Sequence, residues 1–97
     1  MNGCRRLAAR VSGRVQGVAY RASLQEVARA RGVSGWVRNL ADGEVAFALE
    51  GDPLAVDAVL DWARQGPRWG HVESLVIDSE SVDEVASLGA PVFEIRR

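Results

Sequence analysis

The nine residues Gly13 to Arg21, GRVQGVAYR, constrain this chain more than any other stretch, because they join a strand-like run to a helix-like run through a glycine-punctuated loop. Before and into them, Leu7, Ala9, Val11 and Val15 alternate with Ala8, Arg10, Ser12 and Arg14, the period of a half-buried strand. After them, Tyr20, Leu24, Val27 and Ala28 fall on one face of a helix over Tyr20 to Ala30, with Gly32 as its stop. Such a passage points successive backbone N–H groups into one concavity, and the positive end of the helix macrodipole adds to the pull on an anion. Arg21 lies in the first turn of that helix, where a cation is disfavoured by roughly 0.3 to 1 kcal/mol at an exposed site. A bound anion offsets that cost, and a guanidinium offers a fixed fork of donors for two phosphate oxygens.

The rest of the chain supplies a sheet and a second helix. GWVRNL and EVAFALEG flank Asp42 and Gly43, a hairpin signal because glycine tolerates the positive φ of such turns. Asp52 and Pro53 have the character of an N-cap and first helical position, and Val56, Val59, Leu60 and Ala63 form a buried stripe that ends at Gly66 and Pro67. His71 to Ser79 is a fourth strand, Glu80 to Pro91 is polar with little periodicity, and Val92, Phe93 and Ile95 form a short last strand. The order predicts an α+β, ferredoxin-like split βαβ fold, βαββαβ plus a C-terminal strand, with two helices on one face of an antiparallel sheet. Residues 1–97 fit a single domain, with 1–6 as a frayed extension.

Composition narrows the partners. Thirteen acidic and twelve basic residues leave a net charge of -1, without the positive excess that nucleic acid or an anionic membrane requires. Every basic residue is arginine, which excludes lysine Schiff bases and Walker A phosphate binding. One cysteine cannot form an internal disulfide, no apolar stretch approaches the roughly 20 residues that span a bilayer, and the start lacks a signal-peptide core, so the expectation is cytoplasmic.

Asn39 is the second informative residue, since asparagine is depleted in strands yet ends GWVRN ahead of the hairpin. On its own it also fits a strand-end residue that sets up the turn. Cys4 and Arg10 have the spacing of the cysteine phosphatases, but RRLAA between them has no glycine for a cradle. His71 has no second ligand set nearby, which argues against a metal site, and Trp36, Trp62 and Trp69 are scattered as packing aromatics are.

GRVQGVAYR followed by GWVRN resembles the paired signature of the acylphosphatases, small enzymes that hydrolyse carboxyl phosphates. The likeness extends over nearly the whole chain through the element order, the stop at Gly66 and Pro67 and the closing FEIRR. It implies catalytic roles for Arg21, which binds the substrate phosphate, and Asn39, which orients the attacking water. It implies phosphate binding by the loop amides of Val15, Gln16, Gly17, Val18, Ala19 and Tyr20 together with Arg21. It further implies a monomer acting on small acyl phosphates and releasing inorganic phosphate, with no cofactor, no metal and no phosphoenzyme. Ala19 departs from the family, which often has a larger residue there, and Trp69 with Gly70 replaces a small residue after the GP turn. A catalytically idle anion-binding or regulatory module of the same fold is the alternative, and the presence of Asn39 stands against it.

Overall fold

The fold is described from a computed structural model, covering residues 3–83 and 91–97. Seven elements follow in the order β1 (Cys4–Arg14), α1 (Tyr20–Ala30), β2 (Ser34–Asn39), β3 (Val45–Gly51), α2 (Pro53–Gln65), β4 (His71–Asp83) and β5 (Phe93–Arg96). The five strands form one sheet in the order β4-β1-β3-β2-β5. The ferredoxin-like order predicted from the sequence is present, with one difference: β5 pairs parallel to β2, so the sheet is mixed.

Alternation decides the two faces. Leu7, Ala9 and Val11 of β1, Val45, Phe47 and Leu49 of β3 and Val37 of β2 are buried in one core cluster with the helices. The helices answer with Tyr20, Leu24 and Ala28 from α1 and with Val56, Val59, Leu60 and Ala63 from α2, the stripes expected from their 3.6-residue spacing. Asp52 caps α2 by accepting hydrogen bonds from the Leu54 and Ala55 amides at 3.1 and 3.3 Å. The Asp42 carboxylate accepts from the Glu44 amide at 2.9 Å, closing the β2–β3 turn and holding the Asp42 carboxyl below its ordinary pKa.

Two boundaries depart from the sequence-based expectation. Residues 1–6 were expected to be frayed, yet β1 begins at Cys4, which is fully buried and pairs in register with Asp83. Charge explains the longer ladder. Arg5 bridges Asp57 of α2 and Glu80 of β4, while Arg6 on the opposite face bridges Glu50 of β3 and Asp83 of β4. The same contacts carry β4 four residues past Ser79, into a stretch that sequence periodicity left unassigned. Residues 84–90, the rest of that stretch up to Pro91, lie outside the described residues.

Strand direction is what positions the site. β1 and β2 each run antiparallel to β3 and β5 runs parallel to β2, so β1, β2 and β5 all end at the same edge of the sheet. The loop after β1, the last residue of β2 and the end of β5 therefore meet there. Gly13 starts the turn out of the sheet. Its φ is +113°, the β1–β4 register shifts between Ser12 and Gly13, and an added Cβ would lie 2.3 Å from the His71 carbonyl oxygen. Gly13→Ala is expected to lower unfolding stability by roughly 2 to 4 kcal/mol in a denaturant titration, from overpacking plus positive-φ strain.

Candidate active site

The chain leaves β1 at Arg14 and enters α1 at Tyr20, so five residues must carry it off the sheet. Val15 anchors this loop in the core, and Gly17 makes the bend with φ +76°. Ala19 then adopts the left-handed region, at φ 62° and ψ 26°, as the residue ahead of α1. For an alanine that conformation costs roughly 1 to 2 kcal/mol. Tyr20 holds the helix start in place. Its hydroxyl donates to the Ala63 carbonyl of α2 at 2.8 Å, its ring packs 5.4 Å from that of Trp62, and burial pushes its phenol pKa well up, so it stays protonated.

Among the described residues, the N-terminus of α1 has no side-chain cap. α2 has its Asp52 cap, whereas Ala19 has no side chain to cap α1, and the first turn contains no acidic residue. The Val15 amide, expected among the phosphate donors, is instead taken by the Gly13 carbonyl at 3.1 Å, whereas among the described residues no such main-chain bond is made by the amides of Gln16 to Tyr20. Unpaired amides at a helix start are donors for an anion.

A cleft of about 180 Å³ opens at this point, lined by Val15, Gly17, Ala19, Tyr20, Arg21, Ala22, Asn39 and Ile95. It is smaller than the roughly 300 to 1,000 Å³ that drug-sized ligands occupy. Arg21 is half-buried in its wall and pairs with no carboxylate among the described residues, unlike Arg5, Arg6 and Arg10, which are all held by acids. Asn39 lies at the C-terminal end of β2, and its Oδ1 is buried with no hydrogen-bond partner among the described residues. An unsatisfied buried acceptor costs about 1 to 3 kcal/mol, and such costs concentrate at functional sites.

Arg21 and Asn39, 18 positions apart in the chain, thus border one cleft, with Val15, Gly17, Ala19 and Tyr20 beside them. Gln16 and Val18 do not line it. Val18 packs against the core, and the Gln16 side chain turns to the β2–β3 hairpin. Ile95 was not singled out by sequence. Its alternation with Phe93 marked a strand, but its place in the cleft depends on the parallel pairing of β5 with β2, which no local pattern encodes.

A larger hollow of about 420 Å³ lies mainly over the helix-free face of the sheet, among Arg6, Trp36, Ala48, Glu50 and Ser79. It contains no residue of GRVQGVAYR, and Trp36 there is flanked by the guanidinium groups of Arg38 and Arg96 at 5.8 and 5.4 Å. Among the described residues, no group of three or more His, Cys, Asp or Glu could hold a metal ion, and no helix is long and apolar enough to cross a membrane.

The architecture defines a ferredoxin-like α+β protein with a small cleft at the common end of β1, β2 and β5. Comparison with known proteins makes the assignment specific: the acylphosphatase family model matches residues 7–94, and the chain belongs to that family of hydrolases. It is 51% identical over 87 residues to the acylphosphatase of Gloeobacter violaceus, covering 90% of this chain and 88% of that one. With the acylphosphatase of Rubrobacter xylanophilus it shares 49% identity over 86 residues, covering 89% and 74%. The crystal structure of acylphosphatase from Bacillus subtilis superposes with a TM-score of 0.80 at 29% identity, covering 96% of this chain and 99% of that chain.

The left-handed Ala19 leads to a stability test. Ala19→Gly is expected to stay within about 1 kcal/mol of the parent, because relief of strain opposes added unfolded-state entropy. Ala19→Val, β-branched at a positive φ, is expected to lose roughly 1 to 3 kcal/mol in the same denaturant titration.

Proposed function

We propose that this acylphosphatase hydrolyses small acyl phosphates at the cleft between the Val15–Tyr20 loop and Asn39, by direct attack of water on phosphorus. The observation that carries the reading is the buried, unpartnered side-chain oxygen of Asn39, bordering the same cleft as Arg21 and an uncapped helix start.

In this reading the loop amides and the Arg21 guanidinium hold the phosphate oxygens and neutralise their charge, while the Asn39 amide orients the water. The water oxygen forms a bond to phosphorus as the bond to the carboxyl oxygen breaks. The carboxylate departs with the electron pair, and the proton lost by the water passes to solvent. A carboxylate is a good leaving group, so no strong general acid is required. The phosphoryl transition state is loose, and the protein contributes positioning and charge stabilisation. Those are the two contributions that a cationic fork, an amide nest and one oriented amide supply. In this reading the protein acts as a monomer without metal or cofactor. The free, buried thiol of Cys4 is compatible with the cytoplasm.

Benzoyl phosphate hydrolysis in the presence of EDTA tests this. The parent is expected to turn over, with Arg21→Ala and Asn39→Ala folded and each slower by at least about 100-fold, the usual cost of a lost preorganised donor. Arg21→Ala should also weaken inhibition by inorganic phosphate, whereas Asn39→Ala should leave it within about threefold, since water orientation acts on the transition state alone. A folded parent that binds phosphate but does not turn over would contradict the reading.

A further inference from the structure

We propose that Gln16 is a positioning residue that sets the distance between the phosphate loop and Asn39. This rests on the reading above, in which the loop holds phosphate and Asn39 orients water.

The Gln16 side chain leaves the cleft and reaches the β2–β3 hairpin. There its Nε2 donates to two main-chain oxygens, that of Leu40 at 2.8 Å and that of Glu44 at 2.9 Å. Leu40 is the residue directly after Asn39. The two carbonyls belong to the closing pair of the turn, where the Leu40 amide donates to the Glu44 oxygen at 2.8 Å and the Gly43 amide to the Leu40 oxygen at 3.2 Å. One side-chain amide thus uses both of its N–H donors on the frame that holds Asn39.

The tie matters because, besides the Arg10–Glu44 ion pair, no other side-chain hydrogen bond among the described residues reaches the β2–β3 turn from β1 or the loop. β3 lies between β1 and β2, so the strand feeding the loop and the strand carrying Asn39 share no ladder. Among the described residues, no other hydrogen bond runs from residues 15–19 to residues 40–44. The loop places phosphorus and Asn39 places the water, and an error of about 1 Å in such a pairing can cost on the order of 100-fold in rate. A glutamine is suited to the task. It is neutral, so it leaves the anion field of the cleft unaltered, and it offers the two donors that two carbonyls require.

The test uses Gln16→Met, which keeps the side-chain length without donors, and Gln16→Glu, which keeps the shape and has no donor when ionised. For both, kcat on benzoyl phosphate at neutral pH should fall by roughly 10- to 100-fold while the inhibition constant of inorganic phosphate moves by less than about threefold. In an Asn39→Ala background, Gln16→Met should cost less than about twofold more, because no oriented water remains to be misplaced. For Gln16→Glu, kcat relative to the parent should recover as pH falls and the carboxyl regains one donor, a response that a purely structural role would not give. Equal losses in both backgrounds, loss of phosphate binding in place of kcat, or parent-like rates would each overturn the proposal. If Gln16→Met does not fold, the pH response of Gln16→Glu decides. The parent and Arg21→Ala, assayed alongside, separate the outcomes: their failure removes the reading of the site, whereas their success with unaffected Gln16 variants removes only the role of Gln16.

Discussion

The central position of β1 is the constraint from which the rest follows. Its backbone is paired on both sides, with β3 from Arg5 to Val11 and with β4 from Cys4 to Arg14. A strand held this way can release its chain only over the sheet edge, and α1 must return across the core face to bury Tyr20, Leu24 and Ala28. Five residues make that passage, which is why Gly17 and Ala19 both take positive φ. The short connection leaves a helix start facing the same edge at which β2 and β5 end. The position of the cleft is therefore a consequence of strand direction.

Charge divides into two kinds of arginine. Arg5, Arg6 and Arg10 are gripped by carboxylates across neighbouring elements, and Asp78 holds Arg10 through two hydrogen bonds of 2.9 Å. That contact lowers the Asp78 carboxyl pKa, so its contribution is present above the ordinary carboxylate range and fades as pH falls through the lowered value. Surface pairs of this type add little each, but they seal the two long strands together. Arg21, like the exposed Arg14, Arg29 and Arg31, has no such acid among the described residues, but unlike them it is half-buried and stands where the helix dipole is unfavourable to it. In the proposed reading its charge is matched by the substrate phosphate.

Much of the fold was legible because it rests on local chemistry. The α1 limits followed from the spacing of Tyr20, Leu24 and Ala28, the α2 start from Asp52 and Pro53, and the hairpin from Asp42 and Gly43. Where the structure departs, the cause is long-range. Arg5 and Arg6 have the look of a solvated tail until Asp57, Glu50 and Asp83 are brought beside them. The direction of β5 and the place of Ile95 depend on which strand β5 joins. At the site, Arg21 and Asn39 stood out because each is an awkward choice for its local position, a cation at a helix start and an amide in a strand. Gln16 gave no such signal, since glutamine in a loop violates nothing, and only the fold brings it to the Leu40 and Glu44 carbonyls.

The central claim is that this cleft holds the phosphate group, and amide chemical-shift titration of the protein with inorganic phosphate tests it most directly. The account predicts saturable shifts concentrated in the amides of Gln16 to Arg21 and in the side chains of Arg21 and Asn39, with the residues around Trp36 on the opposite face unmoved. Shifts centred on Trp36, Arg38 and Arg96, with the loop silent, would contradict it.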